Sequence, residues 1–139
     1  MTIVGFKMNK LLVEKASDVK GAKVSVKSNI KIKDIQETKL SVLKADQKGI
    51  RYDYEFVSDY QPKAGKILIE GEILAIEKKA DAEKIIDEWK KKGNLNATLK
   101  ATLFNVALSK CNVTSLILSR EVNLPSPIPM PKVQVSKKK

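Results

Sequence analysis

Residues 50–56, IRYDYEF, decide the fold, because their side chains alternate strictly between apolar and charged. One face of this segment carries Ile50, Tyr52, Tyr54 and Phe56, and the other carries Arg51, Asp53 and Glu55. A period of two residues predicts a β-strand with one face buried and one face wet. Aromatic rings on a strand can also stack nucleobases, but the fully charged opposite face favours the protein core as the place of these rings.

The segment that follows predicts the partner strand. Residues 61–65, QPKAG, supply a break, after which isoleucines at 67, 69 and 73 alternate with glutamates at 70 and 72. The short connection predicts antiparallel pairing. Gly71, inside this strand, indicates a bulge or a close approach of another backbone.

Two further strands are predicted upstream. Residues 6–13 form the first, less regularly because residues 11–13 are all apolar. In residues 23–33, valines and isoleucines occupy even-numbered positions, interrupted by Ser28. The odd-numbered positions carry Lys23, Lys27, Lys31 and Lys33. A third apolar run at residues 40–43 precedes a turn at residues 46–49. The result is a mostly antiparallel sheet of about four strands.

The hydrophobic period then changes to that of helices. Ala82, Ile85, Ile86 and Trp89 follow helical spacing, with Asp81 as the predicted N-cap and Gly93 as the C-terminal stop. Residues 97–118 predict a longer helix that is apolar over most of its circumference. Such a helix needs cover on more than one side, and the sheet can supply one side and a second copy or a larger host surface the other.

The end of the chain has a different composition. Residues 124–131, LPSPIPMP, alternate proline with mostly apolar residues, which forbids a helix and favours an extended arm. With 139 residues in total, the chain is predicted to form one α+β domain over residues 1–123, followed by an extended Pro-rich, Lys-ended arm over residues 124–139.

The charge of the chain predicts a polyanionic partner. Its 27 Lys and Arg residues exceed its 16 Asp and Glu residues by 11, and this excess lies in residues 1–40 and 94–139. Lysine-rich surfaces also serve solubility, which is the alternative interpretation. The candidate RNA-binding residues are Lys23, Lys27, Lys31, Lys33, Lys90, Lys91, Lys92, Lys132, Lys137, Lys138 and Lys139. None of them would read sequence, because lysines at these spacings neutralise phosphates.

The composition argues against an enzyme. The chain has no histidine and one cysteine, Cys111, which excludes an intramolecular disulfide and any imidazole mechanism or ligand. No Gly-rich phosphate loop, metal-ligand cluster or nucleophile beside a base is found, so we expect no catalytic residues, cofactor or metal. The sequence contains no run of about 18 apolar residues, the length that a membrane span needs. We expect the chain to be cytoplasmic and without a membrane partner.

The last third of the chain resembles a known family. The segment from Asn94 to Val133, with Leu103-Phe104-Asn105, Leu116-Ile117-Leu118 and the following Leu124-Pro125, is similar to the last helix and Leu-Pro-rich exit of SecB-like proteins. This resemblance implies a SecB-like fold with two C-terminal helices. The family's export chaperones are acidic and tetrameric and hold unfolded polypeptides in apolar grooves, whereas this chain is strongly basic, so the resemblance implies a basic, archaeal-type relative with another partner.

Two functions follow as hypotheses. The first is a structural, non-catalytic rRNA-binding protein of an archaeal-type ribosome, in its large subunit, with rRNA and neighbouring ribosomal proteins as partners. The alternative is a SecB-like molecular chaperone, a holdase that binds unfolded or nascent polypeptides. The sequence leaves the formation of a homo-oligomer open.

Overall fold

Four long strands are followed along the chain by two helices. The computed structural model describes residues 1–16, 24–129, 131 and 133. The elements are β1 (Thr2–Lys15), β2 (Ser25–Thr38), β3 (Gln47–Gln61), β4 (Gly65–Lys78), α1 (Lys79–Lys92) and α2 (Ala97–Glu121). The strands form one antiparallel sheet in the order β1-β4-β3-β2. The predicted α+β architecture, an antiparallel sheet of four strands with two C-terminal helices, is confirmed.

The core lies between the sheet and the helices. The alternating residues that the sequence assigns to the inner face of β3 are fully buried, among them Tyr52, Tyr54 and Phe56. They pair across the sheet with Ile73, Gly71 and Ile69 of β4. The aromatic rings are therefore core residues, as predicted, and not a stacking platform.

Strand β2 keeps the predicted alternation only as far as residue 32. Its register against β3 shifts between Ile32 and Asp34, and beyond this bulge the buried residue is Ile35. Ser28 interrupts the apolar face of β2. Its Oγ lies 2.8 Å from the Oγ of the buried Ser58, and the two hydroxyls form a hydrogen bond. The polar residue is therefore accommodated because its cross-strand neighbour satisfies it.

Two local predictions are wrong. Helix α1 begins at Lys79 and not after Asp81, because β4 runs directly into it and Lys78 occupies the N-cap position without a side-chain hydrogen bond. The N–H of Lys79 instead donates to the carbonyl oxygen of Asp46 at 2.9 Å. The turn predicted at residues 46–49 lies earlier in the chain, since β3 begins at Gln47 and the connection turns at residues 41–42 and 45–46.

Helix α2 packs on the sheet through one narrow stripe. Every fourth residue from Leu99 to Ser119 is buried, in the order Leu99, Leu103, Ala107, Cys111, Ser115 and Ser119. The small side chains in the second half of the stripe bring the helix backbone close to the sheet. The opposite side remains open, and Val113 and Ile117 are 58% and 49% exposed.

The segment after α2 returns to the domain. Leu124 is buried, and its N–H donates to the carbonyl oxygen of Ser119 at 2.8 Å. The hydroxyl of Tyr60 donates to the carbonyl oxygen of Pro125. The first residues of the predicted arm are therefore attached to the sheet. The boundary at residue 123 stays a prediction.

Candidate functional site

A groove lies where the outer strand β2 meets the adjacent ends of the two helices. Its volume is about 270 Å³, slightly below the roughly 300–1,000 Å³ of small-molecule sites. The apolar residues that line it are Ile30, Ile32, Trp89, Leu95 and Phe104. A groove of this size and lining suits one large apolar side chain.

Trp89 and Leu95 are positioned by the caps of the two helices. Trp89 precedes the end of α1, where Gly93 adopts the left-handed conformation with φ 64° and donates its N–H to the Trp89 carbonyl oxygen at 2.8 Å. Asn96 caps α2 by accepting a hydrogen bond of 2.8 Å from the N–H of Leu99 through its Oδ1. These two caps hold the short connection that presents Leu95.

Strand β2 forms one edge of the groove and one edge of the sheet. Among the residues that the structure describes, β2 pairs with β3 alone. From Ser25 to Ile32 the pairing runs without a register shift. Alternate residues of an edge strand present N–H and C=O groups outward, where another strand can bind them. The other edge strand, β1, has register shifts between Ile3 and Gly5 and between Met8 and Lys10, which break up its outer edge.

The charged residues at the groove are both lysines. Lys31 and Lys100 are the charged residues among those that line it, and the Lys31 side chain lies on the open face of the sheet. The Lys100 Nζ lies 5.5 Å from the centre of the Phe104 ring, and the Lys31 Nζ lies 3.5 Å from Oε1 of Glu55 on the neighbouring strand. The basic last turn of α1, residues 90–92, directly precedes Gly93 at the groove.

The structure separates the predicted RNA-binding lysines. On the open face of the sheet, Lys27 stands opposite Asp59 in the β2–β3 register. Lys33 Nζ lies 3.6 Å from Oε2 of Glu55 and 3.5 Å from Oε1 of Glu70. Lys31 and Lys33 therefore face carboxylates of the protein itself.

The remaining candidate lysines lie elsewhere. Those at the end of α1 are exposed, and Lys91 pairs with Asp87 at 3.1 Å; the other two of this group are Lys90 and Lys92. Lys23, Lys132, Lys137, Lys138 and Lys139 lie outside the described residues. RNA binding by these lysines stays a prediction.

The sequence predicted part of this groove as core and missed the rest. The helical spacing predicts Trp89 on the apolar face of α1, and Phe104 is one of the apolar residues of the long helix. Both are half-buried, and each has one side in the groove. No pattern singled out Leu95. The spacing from Gly93 to Asn96, a helix stop followed by a helix cap, is the one signal that the two helix ends and their apolar neighbours lie together.

The titratable groups of the core are held protonated by burial. Burial raises the pKa of the Cys111 thiol to about 11. It also raises the pKa of the Tyr54 phenol, next to Cys111. A thiol in this environment is a poor nucleophile at neutral pH. Among the described residues, no group of three or more His, Cys, Asp or Glu side chains is arranged to hold a metal ion.

One helix in the described part of the chain is long and apolar enough to cross a membrane, judged by length and composition alone. It is α2, residues Ala97–Glu121. Core helices of soluble proteins pass the same test, and α2 packs its small-residue stripe on the sheet. The length and composition of α2 are therefore weak evidence that it crosses a membrane.

Comparison with known proteins gives one structural likeness. No family model and no curated protein matches the chain. Among solved structures, the chain is similar to the SecB-like chaperone Rv1957 of Mycobacterium tuberculosis in complex with a ChAD peptide from the Rv1956 HigA1 antitoxin. The identity is 9%, the TM-score is 0.48, and the likeness covers 99% of this chain and 92% of that chain. At this level the likeness concerns the course of the chain and not what the chain binds.

Proposed function

We propose that the protein binds extended polypeptide segments without chemical reaction, as a holdase-type chaperone does. The observation that carries this proposal is the edge of β2, regular over residues 25–32 and paired on one side only within the described part of the chain, beside a groove lined by five apolar residues. This is the second of the two functions that the sequence predicts.

The edge of β2 and the groove would recognise different parts of a bound chain, its backbone and its side chains. The edge of β2 offers backbone hydrogen bonds, which every extended polypeptide can accept whatever its side chains. The groove adds a preference for one large apolar side chain, which unfolded chains expose and folded proteins bury. A site of this kind selects the unfolded state rather than one sequence.

The chain contains a direct reporter of binding. Trp89 is its only tryptophan and lines the groove. We therefore expect its fluorescence to change when the protein is titrated with extended peptides that match residues 25–32 in length and carry a central Leu or Phe. A peptide with Ser at the central position should produce a much smaller change.

A matched pair of variants tests the groove. Leu95→Ser removes an apolar contact in the groove, and we expect about tenfold weaker peptide binding, since a partly buried Leu is worth about 1–2 kcal/mol. Val113→Ser makes the same kind of change on the exposed side of α2 and should leave peptide binding unchanged. Equal affinity of both variants, with both folded by circular dichroism, would contradict the proposal for the groove.

The contribution of the strand edge is tested separately with peptides that are N-methylated on alternate residues, in two complementary sets. If the peptide adds to β2, one set loses the N–H donors that face the strand and binds weakly, whereas the other set binds normally. Suppression of the aggregation of an unfolded substrate protein, retained in high salt, extends the test to the holdase activity.

Polyanion binding is the second candidate, and the net charge of +11 favours it. Under this hypothesis the protein is the structural rRNA-binding component of the large subunit of an archaeal-type ribosome. If about six phosphates are neutralised, log K should fall with log salt at a slope of about −4 to −5. Co-sedimentation of the protein with large ribosomal subunits through rising salt would support this candidate, and a slope below about 2 in magnitude would exclude backbone neutralisation as its basis.

A further inference from the structure

The groove combines an apolar lining with charge of one sign. Of its two charged lining residues, Lys31 turns its side chain to Glu55 on the open face of the sheet, which leaves Lys100 as the one that offers its ammonium to the groove. The lysines of the last turn of α1 directly precede Gly93. Within α1, Asp87 already forms an ion pair of 3.1 Å with Lys91. A segment in the groove therefore meets positive charge beside apolar surface.

Lys100 is the lysine best placed to contact a bound segment. It stands one helical turn before Phe104 on α2, and its Nζ lies 5.5 Å from the centre of that ring. Lys31, in contrast, already has Glu55 as a partner at 3.5 Å. No carboxylate among the described residues pairs with the Lys100 ammonium, which is free to bind a carboxylate from outside.

We infer that the preferred segments carry a carboxylate two residues from their large apolar side chain; this inference rests on the proposed function and specifies its substrate class. Along an extended chain, side chains two residues apart point to the same side and are separated by about 6.6–6.8 Å. The 5.5 Å between the Lys100 Nζ and the centre of the Phe104 ring is close to this spacing, so an Asp or Glu two positions from a side chain seated against Phe104 would lie within reach of the Lys100 ammonium. Such segments alternate aromatic or aliphatic residues with acidic ones.

The net charge of the protein attracts any acidic peptide, so the test must separate local from global attraction. Lys110 supplies the matched control, because it lies on the same helix with its Nζ 5.7 Å from the centre of the Phe6 ring. It does not line the groove. Lys100→Gln and Lys110→Gln change the net charge equally and remove equivalent cation–π contacts.

The experiment uses three peptides that share a central Phe and differ two residues away, where they carry Glu, Gln or Lys. Binding is measured through Trp89 fluorescence with the full chain. We expect the Glu peptide to bind about two- to fivefold more tightly than the Gln peptide, as for an exposed ion pair, and the Lys peptide to bind most weakly. Lys100→Gln should remove the difference between Glu and Gln, and Lys110→Gln should preserve it.

The outcomes separate this inference from the proposed function. Equal binding of all three peptides overturns the charge preference and leaves polypeptide binding in place. No binding of any peptide overturns the proposed function itself. A preference for Glu that survives in Lys100→Gln, or that disappears equally in Lys110→Gln, shows that the net charge is responsible and overturns the role of Lys100.

Discussion

The hydroxyl of Tyr54 donates a hydrogen bond of 3.0 Å to the carbonyl oxygen of Lys7. Tyr54 belongs to β3 and Lys7 to β1, and β4 lies between these strands. The phenol reaches across β4 at Gly71, the direct partner of Tyr54 in the ladder, next to the register shift between Met8 and Lys10. The bond therefore links two strands that do not pair with each other.

Replacement of Gly71 by alanine should disrupt this link. A Cβ at this position would collide with the Lys7 carbonyl oxygen and lie 2.6 Å from the Tyr54 hydroxyl. We expect a loss of about 1–3 kcal/mol in the free energy of unfolding, the usual cost of an overfilled site. Urea denaturation of Gly71→Ala measures it. Gly5→Ala, whose nearest contact would be the Leu74 Cδ1 at 3.2 Å, is the milder control, and equal losses in both would argue against the crowding at Gly71.

Removal of the cap of α2 should weaken that helix. The Asn96 Oδ1 accepts a hydrogen bond of 2.8 Å from the Leu99 N–H. Asn96→Ala removes the acceptor, and we expect a loss of about 1 kcal/mol. Asn105→Ala, at an exposed position within the same helix, should cost little or nothing. Thermal unfolding of the two variants under the same conditions gives the comparison.

The small-residue stripe of α2 predicts a strong dependence on side-chain size. Ala107 is fully buried against the sheet, so Ala107→Leu should push the helix away and destabilise the protein by about 1–3 kcal/mol. Val113→Leu adds a methylene on the open side of the same helix and should be neutral. Denaturant midpoints distinguish the two positions, and an Ala107→Leu protein as stable as the parent would mean that α2 does not pack as described.

The three tyrosines predict how stability depends on alkaline pH. Burial raises the pKa of Tyr52, Tyr54 and Tyr60 above the ordinary value of 10.0. At pH values above 10.0 the folded state therefore keeps protons that the unfolded state releases, and the free energy of unfolding falls as pH rises. Cys111 acts in the same direction from its ordinary value of 9.0 upward.

An ultraviolet titration of phenolate absorbance checks this behaviour. The chain has 3 tyrosines in all, so the folded protein should show almost no phenolate until it unfolds, and then all three should ionise together. The same titration in concentrated urea should follow the ordinary tyrosine curve. Gradual ionisation of the folded protein near pH 10 would contradict the burial of these rings.

The regular part of the sheet could be predicted because its residues obey one strong rule. In residues 50–56 of β3 the apolar and charged side chains alternate without interruption, so each side chain's face follows from its position. The prediction failed where a contact between residues far apart in sequence determines the local structure. Helix α1 begins before Asp81 because Asp46, from the loop between β2 and β3, receives the N–H of Lys79. The sequence near Asp81 carries no sign of that contact.

The groove was less predictable than the fold for a similar reason. Trp89 and Phe104 lie on different helices and Ile32 on a strand far away in sequence, and only the packing of α1 and α2 beside β2 brings them together. Periodicity indicates that a side chain turns away from water. It does not indicate whether the side chain reaches the closed core or the rim of a groove.

The two edges of the sheet differ in a way that limits assembly. The outer edge of β1 is broken by two register shifts, whereas that of β2 is regular from Ser25 to Ile32. A fibre grows only if every molecule offers two pairing edges. A molecule with one such edge would join a single neighbour through its sheet, so association by this edge would close at a pair of chains.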